Sequence, residues 1–145
     1  MPINSFSVGK DVTLDFISPL TGGLVQFSNI TAFESKQLTK ELTSHGIDGI
    51  PRFADLPSGW DGSFMVDRFN EVFDLYISAV EAAYYAGQVL GANRIVETIT
   101  ENDGTISQFV YTGVSVRFPQ VGRWRGDDKV EMQMEFRASK RQQLI

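Results

Sequence analysis

The sequence predicts an α+β fold in which antiparallel strands dominate, a β-sandwich or partly closed barrel with one packed α-helix. Three observations carry this expectation. Runs of β-branched and aromatic residues alternate with polar ones in several separate places; an Asn-Asp-Gly turn joins two such runs; and a single stretch, about residues 70–88, switches to helical spacing. At 145 residues the chain is expected to be one domain, residues 1–145, large enough to bury a single core.

Taken in chain order, Asp11 to Ile17 alternates as a strand does, and Pro19 to Gly23 supplies a turn. Leu24 to Lys36 reads as a strand pair or one long strand, and Ser63 to Phe69 as a short one. Between them, Gln37 to Asp61 matches no regular period: Gly46, Gly49, Pro51, Pro57 and Gly59 are scattered among Ile47, Ile50, Phe53, Leu56 and Trp60. The expectation is a long loop, at about 37–61, whose apolar residues need a partner to cover them.

The helix is expected from Asn70, as N-cap, to about Gln88. Glu71 and Asp74 lie at the positive end of its dipole, and Val72, Tyr76, Ala79, Val80 and Ala83 share the face toward the sheet. Gly87 marks its end. The hairpin follows, with Arg94 to Glu101 as one arm, Asn102-Asp103-Gly104 as the turn and Thr105 to Phe118 as the other; Gly113 is read as a bulge and Pro119 as the end of that arm. After an exposed loop, Lys129 to Arg137 alternates strictly. Val130, Met132, Met134 and Phe136 are assigned to the core, and Glu131, Gln133 and Glu135 to the opposite face.

Composition narrows the function classes. The hydrophobic share of 42% and charged share of 21% are ordinary for a globular protein, and Val72 to Leu90 is broken by Asp74, Glu81 and Gln88, so no membrane span is expected. With no cysteine there is neither a thiol nucleophile nor a thiolate metal site. A net charge of −5 opposes non-specific binding to phosphate backbones.

Catalytic and cofactor signals are missing from the pattern. His45 is the sole histidine, so no metal cluster or imidazole relay can be assembled from it, and a solvated loop position is its simplest reading. Asp103, Asp127 and Asp128 read as turn residues, Arg125-Gly126-Asp127 as turn chemistry, and Gly22-Gly23 lacks the Lys-Ser or Lys-Thr of a phosphate loop. No Gly-x-Ser-x-Gly elbow occurs. The expectation is a protein that is not an enzyme and takes no cofactor.

Three segments resemble a known family. Gly62 to Arg68 leading into the helix, the Asn-Asp-Gly-Thr hairpin with Phe109 to Val114, and above all Val130 to Arg141, an amphipathic strand ending in Phe-Arg-Ala-Ser and basic residues, are similar to the tail tube proteins of contractile-tailed phages. Tube proteins of secretion systems and of phage-derived bacteriocins share that fold family. The resemblance implies a structural subunit that self-assembles into stacked, hexameric rings forming a hollow tube through which phage DNA is delivered. It implies sheath and baseplate proteins as further partners, DNA that passes without specific binding, and a location in the virion tail, with host cytoplasm during assembly. On that basis Ile47, Ile50, Phe53, Leu56 and Trp60 are assigned to an inter-subunit contact, and Glu131, Gln133 and Glu135 to the lumen. Two rivals stand beside it. A secretion or bacteriocin tube would share fold and assembly, whereas a small monomeric β-barrel binding module would show a closed, ligand-sized apolar pocket.

Overall fold

A computed structural model describes residues 4–20, 23–25 and 29–145. Eight strands and one α-helix are assigned among them: β1 (Val12–Ser18), β2 (Gly23–Val25), β3 (Asn29–His45), β4 (Pro51–Asp67), α1 (Val72–Tyr85), β5 (Asn93–Thr100), β6 (Ile106–Gln120), β7 (Glu131–Ala138) and β8 (Lys140–Gln143). All pairings are antiparallel, in the order β2-β1-β5-β6-β7-β4-β3, with β8 also on β6. β2 and β3 stand at the two ends, so the sheet is open. The expected mainly antiparallel fold with one helix is the one observed.

β6 belongs to both halves of the sheet. Its first part pairs with β5 and β8, its last part with β7, and the break between them falls at Gly113. Gly113 has φ +64, a conformation that side chains with a Cβ rarely adopt, and a Cβ there would lie 2.4 Å from Ser139 Oγ. The facing strand breaks at the same level, where Ser139 separates β7 from β8 and its N–H donates to Thr112 O at 2.9 Å. A sheet creased through two neighbouring strands folds back on itself, which is how one sheet encloses a core. The bulge expected at Gly113 is present. Pro119 does not end the arm, because β6 reaches Gln120 with a register shift between Arg117 and Gln120, where a proline without an N–H costs no ladder bond.

The core lies between the two halves. Phe16, Ile95 and Tyr111 come from one side and Phe64, Val66, Met132, Met134 and Phe136 from the other. Rings meet across the gap, where Tyr111 is edge-on to Phe136 with centroids 5.6 Å apart, and within one half, where Phe33 of β3 stacks on Phe136 of β7 at 5.9 Å. The alternation of β7 holds, with Met132, Met134, Phe136 and Ala138 buried and Glu131, Gln133 and Glu135 on the other face; Val130 precedes the strand and is only half-buried.

The helix is shorter than expected at both ends. It starts at Val72, with Glu71 at the cap position, while Asn70 acts one residue earlier by accepting from the Val72 N–H at 3.1 Å. It closes with Gly87 N–H to Tyr84 O and Gln88 N–H to Ala83 O, so the chain leaves the helix after Tyr85. Phe73, Tyr76 and Ala83 are buried, and Val72 and Val80 are partly buried against the core. Phe73 reaches Phe118 at 5.7 Å, and Tyr76 reaches Phe16 at 5.4 Å. The helix therefore covers the core, using Phe73 as well as the face read from the sequence.

The largest departure concerns residues 37–61. Instead of an irregular loop, β3 and β4 continue as one long hairpin, paired from Asn29↔Asp67 to His45↔Pro51. The glycines and prolines that obscured this occupy its special positions. Gly46 and Gly49 lie in the turn and Pro51 opens β4 just after it; Pro57 lies where the register shifts between Gln37 and Thr39, two residues before Gly59. Pairing between the two strands satisfies their facing backbone polar groups, which a loop of that length would leave to water.

Candidate assembly surfaces

The hairpin projects from the body as an arm. The pairing of β4 with β7 ends at Trp60↔Ala138, and beyond that rung β4 has only β3 beside it. From Thr39 to Ser58 every residue except Gly46 is exposed. A two-stranded ribbon exposed on both faces is marginal alone in water, so its order depends on its root and on whatever it meets.

The residues assigned to an inter-subunit contact divide. Ile47 and Ile50 are at the tip, Ile47 fully exposed, and Phe53 and Leu56 are exposed along the arm. Leu42, which sequence reading passed over, joins Leu56 on one face, because Leu42↔Ala54 and Lys40↔Leu56 are adjacent rungs of like orientation. Trp60 does not join them. It packs partly buried against the core, edge-on to Tyr111 with ring centroids 6.0 Å apart, since it occupies the last rung that β7 still covers. The tip is held by Asp48, which accepts from the Ile50 N–H at 3.0 Å and pairs with Arg52 at 3.1 Å. His45 is an exposed strand-end residue opposite Pro51.

The second surface is the outer face of the β6-β7-β4-β3 half. Register places Glu34 and Lys36 of β3, Asp61 and Asp67 of β4, Glu131, Glu135 and Arg137 of β7, and Arg117 of β6 on it, with Lys129 at its edge. Five carboxylates against four cations leave a formal −1, so the face is polar and nearly balanced rather than strongly acidic. Glu135 forms an ion pair with Arg117, and Lys129 Nζ lies 3.5 Å from both Asp67 and Glu131. The Asp67 carboxylate raises the Lys129 pKa above the ordinary lysine value, with Glu131 adding to the effect. Gln133 lines the same shallow groove as Glu34, Lys36 and Glu135. The three residues assigned to a lumen thus share one outer face, each of them half-buried.

The third surface is backbone. β3 is an end strand of 17 residues, paired only with β4 among the described residues, so its other edge presents free N–H and C=O groups. Monomeric proteins blunt such edges, and an open edge of this length is a template for another strand.

Turn chemistry accounts for the remaining charged candidates. Asp103 accepts from the Thr105 N–H at 3.0 Å and from its hydroxyl at 2.6 Å, and these hydrogen bonds hold its carboxyl below the usual aspartate range. Arg125 O accepts from the Asp128 N–H at 3.2 Å, closing a turn across Gly126-Asp127. Among the described residues no group of three His, Asp or Glu side chains is placed to hold a metal ion, and no helix is long and apolar enough to cross a membrane. The interior is packed with side chains, Tyr111, Phe64, Phe136, Met132 and Met134 being fully buried.

No protein-family profile matches the chain, and no curated protein matches its sequence. Solved structures do match its fold. The anti-feeding prophage cap, the tube terminating cap, aligns with a TM-score of 0.62 at 12% identity, over 99% of this chain and 93% of that one. A chain of the sheath-tube complex of an extracellular contractile injection system, PVC, in the extended state, aligns at 0.63 with 10% identity, over 97% and 93%. The SPP1 tail tube aligns at 0.60 with 17% identity, over 95% of this chain and 78% of that one. The fold is therefore the one these tube and tube-cap subunits have.

Proposed function

We propose that the chain is a structural subunit that assembles with copies of itself into stacked rings, six to a ring as the family resemblance implies, building the hollow tube of a phage tail. The observation that carries this reading is the conjunction of an open sheet whose end strand β3 is, among the described residues, unpaired along one edge with an arm bearing exposed Leu42, Ile47, Ile50, Phe53 and Leu56. Each feature is a liability in a monomer and is satisfied in a ring: strand edges pair laterally between neighbours, and the arm reaches an adjacent ring, where its apolar side chains are covered.

In this arrangement the outer face of β3, β4, β6 and β7 lines the channel. Its formal charge near zero suits a conduit, because phosphates are neither condensed onto a basic wall nor strongly driven away. The helix lies on the other side, toward sheath and baseplate proteins if the tail is contractile. The tube itself has no catalytic step and passes DNA without base or phosphate recognition.

A second reading, the tube of a contractile injection system that is not a virion, is favoured by the matches to the anti-feeding prophage cap and the PVC sheath-tube complex. It shares every assembly contact and differs in cargo. Electron microscopy of the purified protein tests the common core of both. Rings or tubes with an open lumen are expected, and a chain that stays monomeric across all accessible concentrations would overturn it.

A further inference from the structure

A charged side chain is inserted at the root of the arm. Arg141 of β8 turns its guanidinium inward, where it pairs with the buried Glu97 of β5 at 3.0 Å and donates from Nε to the Tyr111 hydroxyl at 3.1 Å. The Tyr111 hydroxyl in turn donates to Ser35 Oγ of β3 at 2.9 Å. The guanidinium lies 3.7 Å from the ring centroid of Phe109 and 5.3 Å from that of Trp60 on β4. Arg141 is partly buried, its side chain 23% exposed, and a charge drawn out of water is tolerated when paired and hydrogen-bonded; this one has a carboxylate, a hydroxyl and aromatic faces.

The geometry of the arm gives that cluster leverage. Ser35 and Trp60 are the parts of β3 and β4 that it grips, and the bulge at Gln37/Thr39 with Pro57 opposite lies immediately beyond. Further out, among the described residues, the two strands of the arm pair only with each other. At about 3.3 Å per residue the arm extends roughly 25 Å past its root, so a tilt of about 10° there moves the tip by about 4 Å. That displacement is enough to take Ile47 and Phe53 out of a packed contact.

We propose that Arg141 is a positioning residue that locks the root of the arm through Glu97, Tyr111 and Trp60, so that the direction of the arm depends on the C-terminal strand β8 being in place. Both strands of the arm are held, β3 by the hydroxyl chain and β4 by the indole. Displacement of β8 withdraws the guanidinium and frees the root. The lock is a property of the single subunit and does not rest on the tube reading; its consequence for ring stacking does.

Pulsed electron–electron distance measurements on the monomeric chain test it. The sequence contains no cysteine, so Ser44→Cys on the arm and Ser78→Cys on the exposed side of α1 take spin labels specifically. The labelled protein should show one narrow distance distribution. Two backgrounds are compared with it: Tyr111→Phe, which removes the shared hydroxyl and keeps the ring, and Glu97→Gln with Arg141→Gln, which removes both charges so that neither is left unpaired. Loss of the single narrow peak in either background, with the far-ultraviolet circular dichroism of the folded chain retained, supports the lock. A distribution unchanged in both overturns it, whatever the thermal melt does, because a merely stabilising cluster would lower the melting temperature without freeing the arm. Tube formation is scored separately by microscopy: a chain that never assembles yet loses its narrow peak keeps the lock and counts against the tube.

Discussion

Phe136 occupies the space that a side chain on Gly62 would fill. The two residues face each other across the β4–β7 ladder, and a Cβ built on Gly62 would stand 2.6 Å from Phe136 Cζ and 2.3 Å from Glu34 O. The absence of one side chain leaves room for the ring between the two halves of the sheet, where Phe33, Phe64 and Tyr111 surround it.

Phe136→Ala should therefore cost about 3–5 kcal/mol, the range for emptying a buried aromatic site, out of a total of about 5–15 kcal/mol for a domain. Gly62→Ala should also destabilise, by overpacking, at about 1–3 kcal/mol or more because one of the clashing atoms is backbone. Denaturant titration of both variants measures this; a neutral Gly62→Ala would show that the ring has somewhere else to go.

The helix is predicted to be held by its aromatic residues more than by its aliphatic ones. Phe73 is fully buried whereas Val80 is only partly so. Phe73→Ala is expected to cost about 3–5 kcal/mol by the same cavity argument. Val80→Asp should leave the chain largely unfolded, since the carboxylate would be placed among Val114, Val116 and Tyr76 beside the core. Circular dichroism melts decide, and a folded but unassembled Val80→Asp would assign that face to a partner.

Shortening the arm separates folding from assembly. Replacing residues 43–53, which close at the Thr43↔Phe53 rung, with an Asn-Gly turn preserves the inner register. The shortened subunit should keep its melting temperature within a few degrees, because the removed residues are exposed, and should no longer form tubes. Tubes of normal length from this variant would show that the arm serves another purpose.

On the outer face, Glu131→Lys with Glu135→Lys changes the formal count from −1 to +3 while breaking two solvent-screened ion pairs, with Lys129 and Arg117, that contribute little to stability. Assembly should survive, and DNA passage or retention in the tube should slow in a salt-dependent manner. If the variant tubes bind labelled DNA no better than the parent at low ionic strength, the face does not line the channel.

Alkaline stability follows from two tyrosines. Burial raises the pKa of Tyr111 and of Tyr76 above the ordinary tyrosine value of 10.0. The unfolded chain then loses those protons at lower pH than the folded one, so this stability is fully present below about pH 10 and is lost as pH rises through the folded values. Tyr76→Phe and Tyr111→Phe should each move the alkaline unfolding midpoint upward relative to the neutral-pH stability of the same variant. Tyrosinate absorbance and circular dichroism followed together provide the check.

Local rules were enough to read much of this protein from its residues. The alternation of Met132, Met134 and Phe136 with Glu131, Gln133 and Glu135 fixes which face of β7 is buried, because neighbouring side chains on a strand point oppositely. The Asn-Asp-Gly turn and the bulge at Gly113 follow from backbone conformations that few residues accept. Tertiary structure alone decided the rest. Residues 37–61 carry turn and breaker signals, yet they form strands because each half finds its partner across the hairpin, a pairing that no short window contains. Trp60 and Leu42 look alike as apolar residues in that stretch; only the point at which β7 stops covering β4 makes one core and the other surface. Glu97, Tyr111 and Arg141 are far apart along the chain and ordinary in their local context, and they become one hydrogen-bonded cluster only when the sheet creases at Gly113 and Ser139 and brings β5, β6 and β8 over the root of the arm.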